Sequence, residues 1–207
     1  MEVHNFRFGQ HNLNLLVFAL IFAVIIGVLV AIIRYSYDKN HTNKAGNFIQ
    51  SLLQFLLAVA NGICHVYLTI IRGVPVVVQL MIIYFIIFAS PDVSKIFCAV
   101  VAFSLNSGAY VAEIVRGGLN SVDKGQFEAG RSLGFGLYCY NVVHYSSTGI
   151  QEHSPSLGNE AIMLLKDTSI SGYVAIQDLT KGGDIIRSRT YDAFMPLIAV
   201  ALIYLIL

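Results

Sequence analysis

Tryptophan is absent from the 207 residues, proline occurs four times, and only 12% of the chain is Asp, Glu, Lys or Arg. The shortage of charge excludes the most. A soluble domain of this length is normally about one quarter charged, and half that leaves too little polar surface for a water-facing fold. The cysteines Cys64, Cys98 and Cys139 are dispersed and odd in number, which excludes a fully paired disulfide framework; they read as small buried hydrophobes. No Gly-x-x-x-x-Gly-Lys-Ser/Thr phosphate loop occurs, and no lysine follows the glycine-rich run GRSLGFG, so the sequence offers no ATP hydrolysis by that route. The histidines at 4, 11, 41, 65, 144 and 153 form no metal-ligand pair at helical spacing. A net charge of +1 without a basic run gives no nucleic-acid footprint. No Ser/His or Cys/His arrangement supports a nucleophilic enzyme.

What the chain does have is apolar length. Hydrophobic residues make up 56% of it, with a mean hydropathy of +0.69, gathered into five or six runs, most of them long enough to cross a bilayer. The fold class is therefore all-α, a polytopic helical membrane protein. Leu13 to Ile33 is the first span, too long for the core of a cleavable signal and followed at once by Arg34. Arg34, Lys39 and Lys44 place its far end in the cytoplasm. In the run from Ser51 to Ile71 and just before it, Gln50, Gln54, Asn61 and His65 follow spacings of four, seven and four on one helical face. That pattern fits a helix packed on others or lying in the interface, and hydropathy leaves open whether it is a separate crossing. Arg72-Gly73-Val74-Pro75 breaks the pattern, and Pro75 suits the first turn of a new helix. The apolar run from Val76 to Ala89 is short for a crossing and is expected to borrow its first turns from the 60s. Ile96 to Val115 is a span with Ser104, Asn106, Ser107 and Gly108 on it, residue types suited to close packing in lipid. Arg116, Lys124 and Arg131 make the following loop cytoplasmic. Asn159 to Ile176 reads as a weakly apolar helix, and Ala193 to Leu207 as a last apolar run that stops without a far-side anchor, as in a truncated product.

Three blocks carry a family resemblance: IRGVPVVVQLMIIY from Ile71, SLNSGAYVAEIVRGGLNSV from Ser104 followed by GQFEAGRSLG, and LGNEAIMLLKDTSI from Leu157. In this order and spacing, over roughly residues 71 to 176, they resemble the permease subunit of polar amino-acid ABC importers of the histidine/glutamine type. The resemblance implies a type I permease fold of about five transmembrane helices, forming a single domain over residues 1–207 in the cell membrane. It also implies partners: ATP-binding subunits that carry the nucleotide, an extracytoplasmic solute-binding protein, and a second permease copy or sister. No cofactor is expected in this chain, and the chain itself is not an enzyme. The cytoplasmic loop from about 116 to 158 would hold the coupling helix. Gln126, Glu128, Ala129, Gly130 and Gly134 are its candidates: small residues to enter a groove, Glu128 with Arg131 to set register, and Gly134 to turn out of it.

Polar residues inside spans are candidates for the substrate pathway. Gln79, Asn106 and Asp167 are those named here. Asn106 with Ser107, and Asp167-Thr168-Ser169, read equally as packing glue; Gln79 lies on the helix led by Pro75, where it can face the bundle. Glu113 and Arg116, three apart, pair most simply with each other. Lys166 reaches headgroups by snorkelling, and Arg72 serves as an interfacial anchor. A membrane-embedded hydrolase using Asp167 or Ser169 is the rival from another class.

One stretch departs from the family pattern. Where the family has an apolar-to-basic run ending in Leu-Pro, residues 137 to 155 end in GIQEHSP. Those last seven residues can be written GGC ATT CAA GAA CAT TCT CCC, which one base later reads Ala-Phe-Lys-Asn-Ile-Leu-Pro. A local frameshift, opened near residues 137–145 and restored before Leu157, explains the departure and raises the alternative of a non-functional product. Resequencing the gene is expected to find these codons; an uninterrupted frame with other codons removes the explanation.

Overall fold

The computed structural model describes the backbone of residues 7–40, 48–121 and 150–206. Among the described residues the chain is helical, without strands. Helix α1 spans Arg7–Asn40, α2 Phe48–Gly73 and α3 Val76–Ile82, the last running on as a π-turn through Ile83–Ile87. Helix α4 spans Lys95–Asn120 and α5 Ile150–Asp167, followed by a 3₁₀ segment, Thr168–Val174. Helix α6 spans Leu179–Thr190 and α7 Phe194–Ile206. Leu13–Lys39, Phe48–Gly73 and Lys95–Asn120 are long and apolar enough to cross a membrane, and Val76–Ile87 and Phe194–Ile206 are shorter apolar helices.

Several boundaries differ from the sequence expectation. The expected borrowing by the span after Pro75 does not occur. Proline has no N–H to continue the ladder, and it drives the preceding residue out of the α region. Pro75 itself sits at φ −58°, ψ 139°, and its carbonyl accepts from the N–H groups of Val78 and Gln79 at 3.0 and 3.1 Å. Helix α2 is thus separate and ends at Gly73. The helix expected to run to Ile176 stops its α ladder at Asp167 and tightens into the 3₁₀ turn. That turn closes at Ala175, a left-handed residue at φ 57°, where Ala175 N–H donates to Gly172 O and Ile176 N–H to Ser171 O. Helix α6 had no apolar periodicity to announce it; Asp178 caps it, accepting from Lys181 N–H at 2.7 Å. Asp178 is buried, and burial pushes its carboxyl above the usual carboxylate range against the pull of the Lys181 N–H.

The chain divides into two compact units, Met1–Ala23 with Gly73–Asn106 and Ala161–Leu207, and Val24–Arg72 with Ser107–Glu160. The core of the first gathers Leu15 and Ala19 of α1, Leu80 and Ile83, the Cys98–Phe103 stretch of α4, and Leu164, Val174 and Ile176. Ser104 donates to Val100 O of its own helix and lies 3.3 Å from Ala19 O of α1. The core of the second gathers Val30, Cys64, Leu68, Ala109 and Ala112. Helix α4 supplies both cores: 67% of its apolar window is buried, against 11% for α2.

Small residues make that burial possible. Lipid tails are as apolar as leucine, so helices in a bilayer gain by close packing rather than by escaping solvent. A Cβ on Gly27 would stand 2.6 Å from Val111 Cγ1 and 3.0 Å from the Ala112 backbone nitrogen. At Gly108 a Cβ would meet Ile26 Cγ2 and the Tyr67 hydroxyl at 3.2 Å. Gly27→Ala is therefore expected to lower the stability of the detergent-solubilised protein by about 1–3 kcal/mol through overpacking. Gly62, with nothing within 4 Å of its virtual Cβ, is the control. Gly62→Ala should raise stability by roughly 0.5–1 kcal/mol through helix propensity. Thermal melts of the two variants side by side check the contrast.

Candidate functional site

The residues named for coupling, Gln126, Glu128, Ala129, Gly130 and Gly134, lie outside the described residues, as does most of the stretch that departs from the family pattern. The three pathway candidates, Gln79, Asn106 and Asp167, fall in one compact unit. Gln79 and Asn106 are buried and Asp167 is half-buried. Gln79 also has a local task. Its side-chain Nε2 donates to Val74 O at 2.7 Å, serving a carbonyl that the break at Pro75 takes out of the helical ladder. Helix α3 packs on the 3₁₀ segment that follows Asp167, so Gln79 and the Asp167-Thr168-Ser169 run stand on neighbouring elements. Thr168 is buried and returns its hydroxyl to Leu165 O at 2.6 Å. The polar run expected inside a helix thus stands at a helix end instead. Lys166 is exposed, consistent with a snorkelling side chain.

In the same unit a groove of about 370 Å³ is lined by Ser169, Gly172, Thr180, Lys181, Asp184 and Arg187. Its charges answer one another: Asp184 accepts from Arg187 at 2.5 Å and from Lys181 at 3.2 Å. Those bonds, Arg187 first, hold the Asp184 carboxyl below the usual range.

The other unit holds the strongest electrostatic feature of the described residues. Glu113, expected to pair with Arg116, is the hub of a larger network. Its Oε1 accepts from Arg34 Nη1 of α1 at 3.1 Å and its Oε2 from Arg116 Nη2 at 3.2 Å. Arg72, ending α2, brings Nη1 within 4.0 Å of the same carboxylate, and its guanidinium stands 5.6 Å over the Tyr110 ring. Arg116 also reaches Asp38 of α1 at 3.4 Å. Residues from three helices thus meet at one carboxylate. Local spacing disclosed only the Glu113–Arg116 edge of this network, because Arg34 and Arg72 are 79 and 41 residues away in the chain.

A second buried contact in this unit escaped the sequence reading. Ser107 of α4 donates to Glu160 of α5, both side chains buried. An acid in a weakly apolar segment was the available signal, and it sat unremarked inside the NEAIMLLKDTS block. A carboxyl so placed needs a donor, since a buried oxygen without one costs about 1–3 kcal/mol. The expectation that α2 packs on other helices holds, and on its polar face Asn61 is half-buried with its Oδ1 covered. Helix α2 packs through Cys64, Tyr67, Leu68 and Ile71, while His65 is exposed, its carbonyl accepting from Thr69 Oγ1 at 2.8 Å. The packing face is the apolar one.

Residues 52–207 match the family described as the binding-protein-dependent transport system inner membrane component. The glutamine transport system permease protein GlnP of Escherichia coli is 38% identical over 154 residues, covering 72% of this chain and 69% of that protein. A provisionally named GlnP of Rickettsia conorii is 39% identical over 146 residues, covering 68% of this chain. The chain spans 66% of the length of that Rickettsia protein, just under two thirds. Among solved structures, an amino acid ABC transporter superposes with a TM-score of 0.74 at 33% identity, over 94% of this chain and 83% of that one. The MetNI methionine ABC transporter, in an inward-facing conformation, shares the fold at 21% identity, with a TM-score of 0.64 over 97% and 87% of the two chains.

The network around Glu113 is expected to couple its members energetically. Half-exposed pairs contribute little each, but a shared, partly desolvated carboxylate contributes more. In a double-mutant cycle of Arg34→Gln and Glu113→Gln, a coupling energy of about 1–3 kcal/mol is expected from thermal or chemical unfolding in detergent. Strictly additive losses would show that the contact adds nothing.

Proposed function

Because the chain belongs to the binding-protein-dependent transport system inner membrane component family, we propose that it is the membrane-spanning subunit of an ATP-driven importer of polar amino acids. The family match over residues 52–207 carries this reading. The GlnP relatives and the amino acid ABC transporter fold support an amino acid as the solute.

In this reading the chain is a conduit and not an enzyme. ATP is bound and hydrolysed by separate subunits that grip the loop between α4 and α5 through Gln126, Glu128, Ala129, Gly130 and Gly134. Their closure drives a two-state rearrangement of the helices, which a partner can bias only by binding the two states with different affinity. An extracytoplasmic solute-binding protein delivers the substrate, and a second permease, identical or a sister, completes the pathway. Gln79, Asn106 and Asp167 line the path. Their placement in one compact unit, two of them buried, supports that role, because a polar group kept inside an apolar bundle is costly unless it is used.

The test is a co-purification joined to an uptake assay. The tagged chain, expressed with its neighbouring ATP-binding subunit, is expected to retain that partner and to support ATP-dependent uptake of a polar amino acid into vesicles. Glu128→Lys should lose both, while leaving the chain in the membrane fraction. Uptake that persists without any ATP-binding subunit would overturn the proposal. Hydrolytic activity from the purified single chain would favour the membrane-enzyme reading instead.

A further inference from the structure

Length and hydropathy allow α2 to cross a membrane, but its contacts hold both of its ends at one face. Helices α1 and α4 run the same way. Gly27 abuts Val111, Arg34 bonds Glu113 and Asp38 bonds Arg116, so residue numbers rise together along the two. Arg34, Lys39 and Arg116 follow these spans in the sequence and mark that end as cytoplasmic. Helix α2 finishes there. The Tyr67 hydroxyl stands against Gly108. Further along, the Arg72 guanidinium is 5.6 Å from the Tyr110 ring and 4.0 Å from the Glu113 carboxylate. Contacts thus advance toward the cytoplasmic end of α4 as α2 proceeds. A helix climbing to the far face would move them back by about 7.5 Å between Tyr67 and Arg72, leaving Arg72 about 15 Å from the level of Glu113.

Chain length keeps the start of α2 at the same face. Asn40 ends α1, about 9 Å beyond Arg34 at the helical rise. Phe48 follows Asn40 by eight residues, and eight residues reach at most about 28 Å. Returning to the far face needs about 39 Å, the hydrocarbon core plus that overhang. The faces of the helix agree with such a placement. At about 100° per residue, Gln50, Gln54, Asn61, His65, Thr69 and Arg72 fall on one stripe. Cys64, Tyr67, Leu68 and Ile71 pack on the neighbouring helices to one side of it. Val59, Ile63, Val66 and Ile70, all exposed, stand about 140° round the helix from the polar stripe. One helix thus offers a packed side, a polar edge and an aliphatic edge, which suit protein, headgroups and hydrocarbon in turn.

We infer that α2 is an in-plane helix set into the cytoplasmic leaflet, with its polar stripe toward the headgroups and Val59, Ile63, Val66 and Ile70 in the hydrocarbon. It is not one of the crossings. Since α1 and α4 are parallel, the chain between Asn40 and Lys95 crosses an odd number of times, and the apolar stretch after Pro75 supplies that crossing. This placement rests on α1 and α4 spanning a membrane and not on which solute is carried.

The full chain is tested in membrane vesicles of both orientations with a membrane-impermeant maleimide, read against the labelling of the wild type. Lys39→Cys marks the face where α1 ends. His65→Cys, exposed in the polar stripe, and Gly73→Cys, in open space, are expected to label from that face alone. A fluorophore on Ile63→Cys is then quenched with brominated lipids. Lipid brominated near the headgroup is expected to quench it more than lipid brominated near the chain end, and Ile70→Cys repeats the measurement should Ile63→Cys fail to insert. Labelling of Gly73→Cys from the opposite face would overturn the proposal. So would protection of His65→Cys from both faces. Stronger quenching by the deep bromines would put Ile63 at the bilayer centre, as in a crossing helix, and would overturn it too. Absence of quenching by either lipid would assign the aliphatic edge to a second copy of the chain and remove the lipid contact.

Discussion

Close approach of α4 to its neighbours is the constraint on which the structure depends. In a bilayer no solvent pushes apolar helices together, so contact must come from shape. Helix α4 presents Ala99, Ala102, Ser104, Ser107, Ala109 and Ala112 on buried faces, and Gly27 of α1 leaves Val111 the space that any Cβ would take. Because these residues are small, backbones come near enough for short polar contacts to form. The Ser104 hydroxyl reaches a carbonyl of α1 and Ser107 reaches Glu160. Neither contact survives if the helices stand a methyl group further apart.

Charge is rationed in the same way. With so few ionisable residues in the chain, those that lie near span ends are gathered instead of scattered. One carboxylate, Glu113, answers arginines of α1, α2 and α4, which gives three helix ends a common fixed point. A single hub of this kind orients helices whose apolar faces are individually tolerant of rotation. The groove beside α6 is built on another plan, with Asp184 satisfied by cations of its own helix, so it orders α6 without binding α6 to a neighbour.

The class of the protein and most of its spans were legible because apolar length needs no partner to be read. Pro75 and Gly73 marked a boundary that the structure keeps. The short run after Pro75 was expected to lean on the residues before it, and the missing proline N–H made that impossible. Helix α6 went unread because its start is set by the Asp178 cap and its packing by a close approach of Gly183 to Val200 of α7, neither of which leaves an apolar stripe in the sequence. The Glu113–Arg116 pair was visible at a spacing of three, but its other arginines were not, since nothing local in a sequence says which distant charge will arrive. The polar stripe on α2 signalled a packed helix without naming the residues that pack: periodicity shows that a face exists and not what covers it.

By itself, then, the order of residues determined that this chain is built of membrane-crossing helices, because hydropathy and proline act within a few turns of where they stand. Tertiary structure alone decided which small residues admit a neighbour, which buried acid meets which hydroxyl, and that one glutamate gathers three arginines. Those outcomes depend on distances between segments far apart in the chain, and such distances exist only once the helices have packed.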